Sequence, residues 1–482
     1  MLRLNDPTLL EPRACINGEW RTGDNTFAVT NPATGATIAR VTDTPLADVR
    51  DAINSAHAAQ KAWAAETGKT RAGVLRRWHD LMLANADDLA MILCAEMGKP
   101  LAEARGEIVY GAGFIEWFAE EAKRAYGDVI PGHQPDKRIV VLKQPVGVVG
   151  SITPWNFPNA MIARKVAPAL AAGCAFVARP AELTPLSATA MAVLAERAGL
   201  PAGLFNVVPN TLASETGKEL CANPKVAKIT FTGSTGVGRI LMRQCADSIK
   251  RISLELGGNA PFIVFDDADP DAAVEGAMIA KFRNNGQTCV CANRIYVQAG
   301  IYDAFAERLS AAIGRLVPGD GMQDGVTVGP LINEAAVAKV ERHLADAVAK
   351  GARVLVGGNR LEGRFFEPTL LADVPASALV SREETFGPVA PLIRFETEEE
   401  VIALANDSEF GLAGYFYARD LARIWRVAEA LETGMVGVNT GLVSTEVAPF
   451  GGVKQSGLGR EGSKYGMDEY LEIKYVCMGG IA

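Results

Sequence analysis

Histidine is scarce in this chain: there are four in 482 residues, and those at 57, 79, 133 and 343 fall in no recognisable active-site run. A thiol hydrolase is disfavoured by that scarcity, because its nucleophile normally needs an imidazole base. Basic residues are not in excess either, 48 Lys and Arg standing against 56 Asp and Glu for a formal charge of -8. Without surplus cations to neutralise phosphates, no nucleic-acid partner is expected. Long apolar runs are missing, and the most apolar window, Val146 to Ile152, falls well short of the roughly 20 residues of a membrane span. It reads as a buried strand, and no membrane association is expected. The eight cysteines, at 15, 94, 174, 221, 245, 289, 291 and 477, are scattered, which fits reduced thiols better than a secreted disulfide framework. Cys289 and Cys291 lack a second Cys or His pair at zinc-ligand spacing, so no metal is expected. The run Met1-Leu2-Arg3-Leu4-Asn5-Asp6 has no apolar signal region, and a cytoplasmic location is expected.

What is present is an ordinary globular composition, 49% hydrophobic and 22% charged, over a length that calls for two or three domains. Residues 45 to 127 carry Ala, Leu, Glu, Arg and Lys at helical spacing and predict a helical layer. From Arg138 the pattern changes to β-branched runs, Ile139 to Pro145 and then Val146 to Ile152. Apolar strands recur at Ala175 to Ala178, Leu204 to Val208, Ile229 to Thr232 and Ile252 to Leu256, with helical stretches between them. That alternation predicts a parallel α/β sheet. It restarts after Ala260 with Phe262 to Phe265, Arg294 to Val297, Arg353 to Val356 and Ala390 to Phe395, predicting a second α/β domain with a boundary near Gly257. Tyr470 to Cys477 alternates like a strand, and Arg138 to Leu142 is a candidate partner for it.

Two runs suggest a thiol nucleophile with its own base: Cys289 in Phe282-Arg283-Asn284-Asn285-Gly286-Gln287-Thr288-Cys289-Val290-Cys291, and Glu255 in Leu254-Glu255-Leu256-Gly257-Gly258-Asn259. A thiolate adds readily to electrophilic carbon, and a carboxylate in apolar surroundings has a raised pKa suited to activating water. Gly233-Ser234-Thr235-Gly236-Val237-Gly238 follows a predicted strand and precedes a helical run, an arrangement that presents N–H groups to a pyrophosphate. Arg164 and Arg283 lie in runs expected near the thiol without being needed for its chemistry, and two guanidiniums suit a distant carboxylate.

Taken together, these runs resemble the aldehyde dehydrogenase superfamily over nearly the whole chain, and within it the succinate-semialdehyde dehydrogenases. The resemblance is carried by Thr153-Pro154-Trp155-Asn156-Phe157-Pro158, Arg179-Pro180-Ala181-Glu182, Phe231 to Gly238, Glu255 to Gly258, the cysteine run, Glu383-Glu384-Thr385-Phe386-Gly387-Pro388 and the tail Pro449 to Glu461. It implies an α/β fold with a Rossmann-type cofactor domain (1–127 and 146–257), an α/β catalytic domain (258–455) and a small β oligomerisation element (128–145 and 456–482) making a homodimer or homotetramer. The activity it implies is oxidation of a short semialdehyde acid, with succinate semialdehyde leading and glutarate semialdehyde or a broader aldehyde range as alternatives. A catalytically silent scaffold of the same fold is the non-enzyme alternative.

By the same resemblance Cys289 is the nucleophile, Glu255 the base, and Asn156 with the Cys289 N–H the oxyanion donors. Glu255 also favours hydrolysis to a free acid over transfer to coenzyme A. The expected cofactor residues are Thr153, Pro154, Trp155, Lys165, Arg179, Glu182, Gly233, Ser234, Gly238, Leu256, Glu384 and Phe386. Lys165, Arg179 and Glu182 are assigned to the adenosine end. Arg179 stands where the family usually has Lys and leaves NADP open, whereas Glu182 favours NAD. Arg164, Arg283 and Ser444 are expected on the substrate carboxylate, and a Cys289–Cys291 disulfide is a candidate redox switch.

Overall fold

In the computed structural model, which describes residues 2–481, the helical spacing of the first quarter becomes four consecutive helices, Leu46–Ala65, Gly68–Ala84, Ala86–Met97 and Leu101–Glu121. They are fastened to a sheet by large side chains. Trp78 is fully buried with its ring 5.6 Å from that of Phe205, and Trp63 Nε1 donates to Leu170 O at 2.8 Å. Truncating such a buried Trp costs about 3–5 kcal/mol.

The sheet places five parallel strands in the spatial order Phe205–Val207, Ala175–Arg179, Val148–Ile152, Val226–Thr232, Arg251–Glu255. The first of these in sequence is therefore central, and the chain leaves it in opposite directions to reach its two neighbours. Such a reversal opens a crevice beyond the carboxyl ends of Val148–Ile152 and Val226–Thr232. All five residues of Val148–Ile152 are buried, which explains its unbroken apolar run. The sheet is longer than the sequence pattern suggests. Ala14–Ile16 and Glu19–Arg21 extend one edge antiparallel, and Gly457–Leu458 pairs antiparallel with Arg251–Glu255 at the other.

A second sheet begins at Ala260 and has seven strands, in the order Arg353–Val356, Thr369–Ala372, Val389–Phe395, Ala292–Gln298, Ala260–Val264, Ala413–Tyr417, Met435–Val438. Only Arg353–Val356 runs antiparallel to its neighbour. Leu471–Met478 pairs along its length with Arg138–Pro145, which also bonds Val129–Ile130, giving a separate three-stranded antiparallel sheet. The segment after residue 455 is thus divided. Gly457–Leu458 serves the first sheet, and Glu461 is buried against the Ala160–Ala172 helix, before Leu471–Met478 enters the third sheet. Among the described residues, no helix is long and apolar enough to cross a membrane.

Candidate active site

The crevice continues into a cavity of about 370 Å3 between the two large sheets. Its walls include Pro154, Trp155 and Asn156 after the central strand, Gly233 and Ser234 after its neighbour, and Leu256 after the third. Ser234 caps the Thr235–Ala246 helix, its Oγ accepting from Val237 N at 3.4 Å. Gly238 is set by packing, because a Cβ there would lie 2.5 Å from Leu256. The hydroxyls of Thr153 and Thr232, at the ends of adjacent strands, are buried without a hydrogen-bond partner. A helix start, glycines and orphaned hydroxyls at a switch point form a cradle suited to a dinucleotide.

Glu384 and Phe386 enter the same cavity from the segment just before the Val389–Phe395 strand of the second sheet. Glu384 Oε1 accepts from Gly258 N at 3.0 Å, and burial raises its pKa to about 7. The Phe386 ring meets Trp155 edge-on at 5.6 Å from a backbone with φ of 57°, a left-handed conformation uncommon for a bulky residue.

Cys289 reaches the cavity from a loop built of unusual backbone. Asn284, Asn285 and Gly286 have φ of 52°, 56° and 73° in succession. The loop is held by side-chain amides: Asn285 Nδ2 donates to Gly329 O at 2.8 Å, and Gln287 Oε1 accepts from Ile332 N at 3.0 Å. Close approach from the other side depends on Gly258, where a Cβ would sit 2.3 Å from Cys289 O. Burial pushes the Cys289 thiol up to about 12, with Arg164 acting in the opposite direction. The resting thiol is therefore protonated and needs a base.

Asn156 Nδ2 donates to Gln287 O at 3.0 Å, which uses one of its two N–H groups and leaves one for a ligand. Glu255 is buried but does not line the cavity. Its Oε1 lies over Gly451, 3.0 Å from where a Cβ would be, and its Oε2 has no partner. Burial raises its pKa well above the usual carboxylate range; the negative charge of Glu461 adds to this, and Arg164, Lys165 and Arg460 oppose it.

The cavity wall also carries cationic groups. Arg164 and Arg283 both line it, together with Ser444 and Tyr110. Arg164 stacks 4.0 Å from the Phe450 ring centroid, and its Nη2 is buried without a hydrogen bond. Arg283 lies 4.9 Å from the Phe157 centroid. The Tyr110 hydroxyl is buried and unpartnered, and no local sequence signal marks it, since Tyr110 projects from the interior of the Leu101–Glu121 helix.

Lys165, expected at the adenosine end of a cofactor, is fully buried and ion-paired with Glu461, which Arg164 also holds. Although burial raises the Glu461 carboxyl, the charges of Arg164 and Lys165 outweigh that and hold it low. The two cysteines of the loop are also separated in environment. Cys291 is buried with Sγ 3.3 Å from Lys281 Nζ and is absent from the cavity wall, so a bond to Cys289 requires that contact to break. Arg179 and Glu182, read in opposite senses for the cofactor, are bound to each other at 2.7 Å, and Arg179 Nη2 donates also to Asn210 O at 2.9 Å.

A model of the aldehyde dehydrogenase family matches residues 20–476. The chain is 64% identical over 484 residues to a glutarate-semialdehyde dehydrogenase of Pseudomonas aeruginosa, with 100% of each chain covered. It is 63% identical over 482 residues to an NADP(+) succinate-semialdehyde dehydrogenase of Escherichia coli, covering 99% and 100% of the two chains. The crystal structure of an aldehyde dehydrogenase from Brucella melitensis biovar abortus 2308 superposes with a TM-score of 0.99 at 61% identity, 99% of each chain being covered.

Proposed function

The chain belongs to the aldehyde dehydrogenase family, and we propose that it oxidises a short aldehyde bearing a distal carboxylate, succinate semialdehyde first, to the diacid with NAD(P)+. The observation that carries this reading is one cavity whose wall holds Cys289 and Asn156 together with Arg164, Arg283 and Ser444. The orphaned Thr153 and Thr232 hydroxyls, the glycine turn and Glu384 fit the dinucleotide. When bound, the nicotinamide ring accepts the two electrons and the hydrogen removed from the aldehyde carbon.

The protein's own groups do the rest. Cys289 Sγ adds to the carbonyl carbon, and its proton passes to Glu255 after that side chain turns from Gly451 towards the cavity. The free N–H of Asn156 and the backbone N–H of Cys289 hold the negative oxygen, a donor of this kind lowering the barrier by about 3 kcal/mol. Collapse leaves a thioester on Cys289. Glu255, after releasing the thiol proton to solvent, takes a proton from the water that attacks the thioester and returns it to the departing Cys289 thiolate, releasing acid and thiol. Glu182 supports NAD, because a carboxylate near the ribose repels an added phosphate; Arg179, permanently charged, supports NADP.

Glutarate semialdehyde is the second reading, supported by the 64% identity to the Pseudomonas aeruginosa enzyme. The two substrates differ by one methylene, worth about 1–3 kcal/mol in a pocket. We further propose a cytoplasmic homodimer or homotetramer. Ile473, Tyr475 and Leu142 of the three-stranded sheet are 70%, 59% and 42% exposed, and a second copy would cover them. The central reading is tested by acid-quenching the wild-type enzyme during turnover of succinate semialdehyde with NAD(P)+ and measuring the mass of the Cys289 peptide. A succinyl adduct at Cys289 is expected, and an unmodified thiol beside formed product would refute it.

A further inference from the structure

Resting on the reading of Asn156 as an oxyanion donor, we propose that Lys99, Glu103 and Glu107 are positioning residues: a brace from the start of the Leu101–Glu121 helix that sets Asn156 relative to the Cys289 loop. The two donors of the oxyanion site come from segments far apart in sequence, so their separation depends on contacts made between the two loops and with what packs behind them. Lys99 Nζ donates to Glu107 Oε2 at 2.6 Å and to the backbone Asn156 O at 2.8 Å, with its ammonium 3.7 Å from the Phe157 ring centroid. Glu107 Oε1 accepts from Asn159 N at 3.0 Å and Ala160 N at 3.2 Å, tying the start of the Ala160–Ala172 helix to the same carboxylate. Glu103, one turn earlier on the same helix face, accepts from Asn284 N at 2.7 Å through Oε2.

The circuit closes across the domain boundary. Asn284 Nδ2 donates to Asn156 O and to Gln287 O, both at 3.1 Å, and Asn156 Nδ2 donates to Gln287 O at 3.0 Å. The Asn156 carbonyl thus receives both Lys99 and Asn284, and the left-handed Asn284 is pinned by Glu103. The side chains of Lys99 and Glu107 are 0% and 1% exposed. Taking such a pair out of water is costly, and apolar residues of the same volume often stabilise a fold as well or better. What apolar residues cannot do is donate to Asn156 O while accepting from Asn159 N. Displacements of 1 Å at a reacting centre cost about 100-fold in rate.

The test is a double-mutant cycle on the full-length enzyme. Lys99→Met combined with Glu107→Gln removes both charges together, and the amide oxygen of the new side chain can still accept from Asn159 N. We expect kcat to fall about 10- to 100-fold with KM for the dinucleotide unchanged, and to fall less than 2-fold further when the same pair is placed on Asn156→Ala. Equal losses in both backgrounds, or no loss in either, would overturn the brace. If Asn156→Ala alone leaves kcat intact, it is the oxyanion reading that fails. Should the charge-free pair not fold, Glu103→Ala, half-buried at the outer end, carries the same cycle with the same expectations.

Discussion

Arg164 and Glu461 form an ion pair with side chains only 1% and 3% exposed, so this cavity arginine is committed to the interior as well as to any ligand. Removing it leaves Glu461 buried with Lys165 alone, and breaking a buried pair costs about 3 kcal/mol or more. Arg164→Leu is therefore expected to lose both stability and activity, read by urea unfolding and by kinetics. Arg283, half-buried and stacked on Phe157, separates the two effects. Arg283→Leu is expected to keep stability within about 1 kcal/mol while lowering kcat/KM for carboxylated aldehydes about 10- to 100-fold, the worth of a charge-assisted hydrogen bond.

The unpartnered Tyr110 hydroxyl predicts a split result. Tyr110→Phe removes a buried group that lacks a partner in the free enzyme, so stability should hold or rise slightly. Turnover of succinate semialdehyde should fall about tenfold, equivalent to about 1.4 kcal/mol, while butyraldehyde should be unaffected. Equal losses with both aldehydes would remove Tyr110 from substrate recognition.

The raised pKa of Glu255 sets the sign of the pH dependence. A base works in its ionised form, and an upward shift means that the ionised fraction is still growing as pH rises above the usual carboxylate range. If thioester hydrolysis limits turnover, kcat should climb over that range. Glu255→Gln, which removes the base for both the thiol and the water, should abolish the climb and slow the first turnover as well as the steady state. A flat wild-type profile with deacylation rate-limiting would contradict the assignment.

A Cys289 thiol raised to about 12 is almost wholly protonated at neutral pH. In the enzyme without cofactor, its alkylation by iodoacetamide should accelerate close to tenfold per pH unit from 7 to 9 with no plateau. A plateau below pH 8 would indicate a thiol activated in the resting state.

The parts of this site legible in the sequence are those where chemistry and backbone lie in one short run: Cys289 with its loop, Asn156 after the central strand, Glu384 beside Phe386. The five central strands were readable for a similar reason, since burial on both faces writes a continuous apolar run. What escaped depends on pairing distant in sequence. Lys99, Glu103 and Glu107 look like an ordinary charged helix start until Asn156 and Asn284 are brought against them. Glu461 gains its meaning only beside Arg164 and Lys165, two adjacent residues of which Arg164 lines the cavity and both hold its carboxylate. The edge strands Ala14–Ile16 and Glu19–Arg21 are three residues each, too short to establish a period.

The central claim, a carboxylate-selective aldehyde oxidation, is tested most directly by kcat/KM for succinate semialdehyde, glutarate semialdehyde and butyraldehyde on one preparation, each with NAD and with NADP. The account predicts a preference for the carboxylated aldehydes above about 100-fold, or about 2.7 kcal/mol, with the better chain length naming the substrate. Equal values for butyraldehyde would contradict it and remove Arg164, Arg283 and Ser444 as specificity residues.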